Sequence, residues 1–70
     1  MAQPEAYEEL ADLRRVMAMT AMSRSRVYLE MRAKDRPFPK PLKLGGRSVW
    51  VVSEVQAWIR AVIDTSPRLK

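Results

Sequence analysis

The side chains best suited to recognition chemistry cluster in one short stretch, Thr20–Tyr28, which reads TAMSRSRVY. Arg24 and Arg26 flank Ser25, and Ser23 stands just before them. A guanidinium is a planar fork of donors that pairs bidentately with a guanine edge or a phosphate, and serine hydroxyls bond to either. Ser23 has the right type and place for an N-cap, so Arg24, Ser25 and Arg26 would fill the first turn of a helix. Three consecutive helical side chains spread over about 200°. They cannot all face base edges, and at least one arginine is expected on a phosphate. Tyr28 has two readings, a hydroxyl on phosphate or a core ring with a wet tip.

Other chemistries are poorly served. The chain has no histidine and no cysteine, which removes the commonest general base, thiolate nucleophiles, thiolate metal sites and disulfides. Glu30, Asp35, Glu54 and Asp64 fall on exposed faces or at helix ends, and no pair of carboxylates is embedded in apolar sequence as acid–base work requires. Gly45-Gly46 is too short to cradle a phosphate. The expectation is a binding protein without catalysis, cofactor, metal or small-molecule ligand.

The elements that would position these side chains can be read from periodicity. Asp12 is a candidate N-cap for a helix over about 12–19, with Leu13, Val16 and Met17 on one face. After the TAMS turn, whose Met22 is expected to plug the angle between helices, a second helix is expected from Arg24 to about Lys34. Its buried stripe is Val27 and Met31. The prolines of DRPFPKP stop it, with Phe38 as a core anchor. Strands Pro41–Leu44 and Arg47–Val51 then form a hairpin through Gly45-Gly46, with Leu42 and Leu44 on its apolar face. Ser53 and Gln56 have capping-box spacing, and Val55, Trp58, Ile59, Val62 and Ile63 line the last helix. Trp50 and Trp58 lie within apolar periodicity and are expected in the core.

The result is a mainly α fold with a two-stranded hairpin, in the order helix, helix, hairpin, helix: a minimal winged helix-turn-helix. Residues 1–11 read as a flexible acidic arm from which Tyr7 or Leu10 packs back, 12–64 as the domain, and 65–70 as a frayed tail. In such a fold the helix opening at Arg24 enters the major groove. Arg32, Lys40, Lys43 and Arg47 contact backbone, the last two from the wing.

Charge agrees with that partner. The net charge is +5 over 70 residues. Residues 1–12 hold Glu5, Glu8, Glu9 and Asp12 with no basic residue, whereas residues 13–70 hold all 13 Lys/Arg against four carboxylates. A basic minimal domain favours a polyanion, most often nucleic acid. No apolar run approaches the ~20 residues of a membrane span, and no signal-peptide pattern is evident. A cytoplasmic bacterial protein is the expectation.

The joint pattern also resembles a known family, the AlpA phage-type regulators, within the wider excisionase-like and MerR-like winged-helix group. The residues that carry the resemblance are Val16, Thr20, Met22, Ser23, Arg24, Ser25, Val27 and Tyr28. Phe38, Pro39, Pro41, Leu44, Gly45 and Arg47 continue it, followed by Trp50, Ser53, Glu54, Val55, Ala57 and Trp58. The chain departs from the pattern in two places. Ala21 stands where the family has glycine, so the turn is expected to avoid a positive φ there, and the segment before Phe38 is about two residues longer, which would lengthen the second helix or bulge the loop. The resemblance implies a DNA-binding regulator of excision, or a recombination directionality factor, in a prophage or integrative element. Its implied partners are double-stranded DNA, an integrase and neighbouring copies of itself. The alternative is an interaction module of the same fold that inhibits a regulator; it would expose an apolar patch including Met17, Met19 and Met31.

Overall fold

The structure, a computed structural model, describes residues 8–69. Tyr7 and the rest of the expected arm before Glu8 lie outside the described residues. The elements run β1 (Leu10–Asp12), α1 (Leu13–Thr20), α2 (Arg24–Glu30), β2 (Leu42–Leu44), β3 (Arg47–Val51) and α3 (Val52–Thr65). The fold is the expected one, three helices and a small antiparallel sheet in a winged helix-turn-helix arrangement.

Each helix of the first pair starts as its cap dictates. Asp12 Oδ1 accepts from the Arg15 amide at 3.0 Å, and Ser23 Oγ accepts from the Arg26 amide at 3.1 Å. Between them, Thr20 Oγ1 donates to the Val16 carbonyl at 2.9 Å and accepts from the Met22 amide at 3.3 Å. Ala21 closes α1 with φ +61°, and its amide donates to the Met17 carbonyl at 2.8 Å. The turn therefore uses the left-handed conformation that the missing glycine led us to expect it to avoid.

α2 ends at Glu30, short of Lys34. The Glu30 carbonyl is taken by the amides of Ala33 and Phe38, at 3.2 and 2.9 Å, which folds the chain back under the helix. The extra residues form a bulge instead of more helix, with Arg36 at φ +53°.

Gly45 and Gly46 both have positive φ, +58° and +82°, as a two-residue type I′ turn requires. The expected hairpin gains a third strand, giving the order β1-β3-β2. Leu10, Ala11 and Asp12 face Val51, Trp50 and Val49, whereas Leu42, Lys43 and Leu44 face Val49, Ser48 and Arg47. Leu10 and Ala11, read from the sequence as part of the arm, are thus paired in the sheet.

Ala11 and Trp50 point into the core with Val16, Val27, Phe38, Val52 and Val55. The indole of Trp50 donates to the Pro39 carbonyl at 3.0 Å, and that of the half-buried Trp58 donates to the Arg36 carbonyl at 3.0 Å. Phe38 meets Trp58 edge-on, with ring centroids 4.9 Å apart. Leu42 and Leu44 share one face of the hairpin as expected, and it is the outer one: they are 51% and 54% exposed on the side of the sheet away from Trp50. The capping box does not form either: β3 passes directly into α3, whose N-cap is Val51. The Val52 amide donates to the Glu9 carbonyl at 2.8 Å, and Ser53 Oγ donates to Glu8 Oε1 at 2.8 Å.

Candidate nucleic-acid interface

An open groove of about 290 Å³ runs between the start of α1, the start of α2 and the base of the wing. Arg14, Arg24, Tyr28, Arg47, Ser48 and Asp12 line it. Arg24 and Tyr28 share it because they are four residues apart on α2, one above the other. Val27 and the partly buried Met31 hold the neighbouring face of the chain against the core, and that contact sets the rotation of the helix. The Tyr28 ring stands edge-on to buried Trp50, centroids 6.5 Å apart. Its body leans on the core and it also forms groove wall.

The structure brings together some of the expected residues and separates others. Arg24, Tyr28 and Arg47 meet in the groove. Ser23 is exposed and acts as the cap of α2. Ser25 is exposed outside the groove, and Arg26 Nη2 lies 2.9 Å from Glu30 Oε2 one turn along. Arg32 lies exposed beyond the end of α2, and Lys40 is exposed in the loop before β2. Lys43 is exposed on β2, directly opposite Ser48 of the groove. The sequence reading missed Arg14, Ser48 and Asp12 as parts of the site. Arg14 carried one signal, a position off the apolar face in a first turn. Nothing in the sequence set it beside Arg24.

The charges are unevenly matched. Arg15 pairs with Glu9 at 3.6 Å, Arg26 with Glu30 at 2.9 Å, Arg47 with Asp12 at 3.4 Å and Arg60 with Asp64 at 3.6 Å. Arg14 and Arg24 have no carboxylate partner among the described residues. These two unmatched cations on adjacent helices give the groove its positive character. Exposed pairs such as Arg15–Glu9 contribute only about 0–1 kcal/mol, so a phosphate can compete for such an arginine. Among the described residues no cluster of three or more Asp and Glu is placed to hold a metal ion. No helix there is long and apolar enough to cross a membrane.

Met17, Met19 and Met31 pack against the core, so the patch expected of an interaction module is not formed from them. The exposed large apolar residues include Leu10, Leu42 and Leu44 on the outer side of the sheet, and Leu29 on α2.

A family model described as "Prophage CP4-57 regulatory protein (AlpA)" matches residues 10–63, from the first residue of β1 into the last turns of α3. No curated protein and no solved structure matches the chain.

Proposed function

Since the chain belongs to the AlpA family of phage regulatory proteins, whose members are non-catalytic DNA-binding regulators, we propose that its groove is the surface that reads duplex DNA. In this reading α2 lies in the major groove. Arg24 presents its fork to a base edge, Arg14 takes a phosphate beside it, and the Gly45-Gly46 wing with Lys43 and Arg47 grips the flanking backbone. The protein then acts by occupying or bending a site in a prophage or integrative element. It either regulates transcription of an excision function or serves as a directionality factor beside an integrase and further copies of itself.

The observation that carries this reading is the convergence of Arg24 and Tyr28 from α2 with Arg47 from the wing on one groove that also holds Arg14. Three arginines far apart in the chain thus line one groove with Tyr28, and Asp12 offsets the charge of Arg47 alone among them. The test is enrichment of duplexes from a randomised pool. The wild-type protein is expected to converge on a motif, and a folded Arg14→Ala/Arg24→Ala variant to lose it. Unchanged affinity of that double variant for the enriched duplex would refute the assignment.

A further inference from the structure

Asp12 belongs to three structures at once. It ends β1, caps α1 through Oδ1, and accepts from Arg47 Nη2 through Oδ2 at 3.4 Å, inside the groove. A carboxylate is an unexpected component of a surface that meets a polyanion, because it repels phosphate and offsets one guanidinium. Neither of its structural tasks needs the charge. Asparagine and serine cap helices about as well, and strand pairing uses only the backbone. The charge of Asp12 is therefore available to act on Arg47.

We propose that Asp12 is a specificity-determining residue of the DNA interface: it positions the Arg47 guanidinium and withdraws that charge from indiscriminate phosphate binding. The proposal rests on the DNA-binding reading above. Non-specific binding is driven almost wholly by counterion release, and an arginine that must first leave a carboxylate adds less to it than an unmatched one. The single Arg47 Nη2–Asp12 Oδ2 contact at 3.4 Å biases an exposed guanidinium toward one orientation and leaves its other donors for DNA. The pair thus weakens binding to arbitrary duplex and favours sites whose groups meet those donors. Arg14 and Arg24, without such partners among the described residues, supply the general attraction.

The experiment compares Asp12→Asn, which retains a capping side chain, with Arg47→Lys, which retains the charge and loses the fork. Each is titrated across a salt series against duplexes enriched by the wild-type protein and against the unselected pool. Asp12→Asn is expected to bind the unselected pool several-fold more tightly, with a salt slope steeper by about one, and to lose most of the enriched-to-unselected ratio. Asp12→Ser, a second neutral cap, must behave the same way. Arg47→Lys is expected to keep the slope and lower the ratio, and in combination with Asp12→Asn to lower it no further than either change alone. An Asp12→Asn protein with unaltered thermal midpoint, slope and ratio overturns the proposal, as does a ratio that rises. Wild-type protein that shows no salt-dependent duplex binding would instead overturn the underlying DNA-binding reading, a result visible before any variant is made.

Discussion

Arg24 and Arg26 are two residues apart on one short helix, yet their surroundings differ. Arg24 lies in the groove with no carboxylate partner among the described residues, whereas Arg26 points away and meets Glu30 at 2.9 Å. At 100° per residue two positions turn a side chain by about 200°, so only one of the pair can share a side with Tyr28. Arg24→Ala is therefore expected to cost about 1–3 kcal/mol in binding to the enriched duplex, the range for a base-reading arginine. Arg26→Ala should cost well below that and leave the fold intact, since an i,i+4 pair on a helix surface contributes about 0.3–0.5 kcal/mol. Fluorescence anisotropy at fixed salt measures both, and equal losses would mean that the wrong side of α2 has been assigned. This much was legible in the sequence: Val27 and Met31 mark the inward stripe, and Arg24 and Tyr28 then fall together. The opposite wall was not legible. Arg14 and Asp12 reach the site through the packing of α1 and β1, and no local spacing encodes that packing.

At the level of elements, two of the three expected caps and the glycine pair spoke clearly where the cause is local, whereas the Ser53–Gln56 box did not form. Ser23 and Asp12 cap, and Gly45-Gly46 turns the hairpin, because the side chain or the missing Cβ is itself the cause. Features with a distant cause did not show. α2 stops at Glu30 because the Phe38 amide, eight residues on, claims its carbonyl. β1 has three residues, too few for a period, and exists because the edge of β3 is there to pair with. Alternation correctly put Leu42 and Leu44 on one side of their strand but cannot say which side is buried; the large Trp50 side chain took the inner one. Ala21 is the most testable case. A left-handed conformation costs a non-glycine residue about 1–2 kcal/mol, and glycine returns part of that as unfolded-state entropy. Ala21→Gly is thus expected to stabilise the domain by about 0.5–1 kcal/mol, a rise of about 2–8 °C in thermal midpoint. Gly46→Ala, at φ +82° with open space around the new Cβ, should lower the midpoint for the same backbone reason. A fall in midpoint for Ala21→Gly would show that the turn carries no such strain.

At the scale of the whole molecule, the described acidic residues Glu8, Glu9 and Asp12 are more closely tied to the basic domain than their positions suggested. Glu8 accepts from Ser53, Glu9 pairs with Arg15, and Asp12 pairs with Arg47. These carboxylates reduce the charge around the site selectively, leaving Arg14 and Arg24 unmatched among the described residues and Lys43 exposed on the wing. If Arg14 and Lys43, with partial help from Arg47, meet the backbone while Arg24 reads a base, the slope of log K against log salt should be about −2 to −3, and affinity should fall about 10- to 40-fold between 50 and 200 mM. Isothermal titration or anisotropy at four salt concentrations measures the slope directly. A slope near zero would mean that the cationic groove does not carry the binding. The outer side of the sheet, where Leu10, Leu42 and Leu44 are all more than two-fifths exposed, would then be the surface with the stronger physical case for contact with another protein.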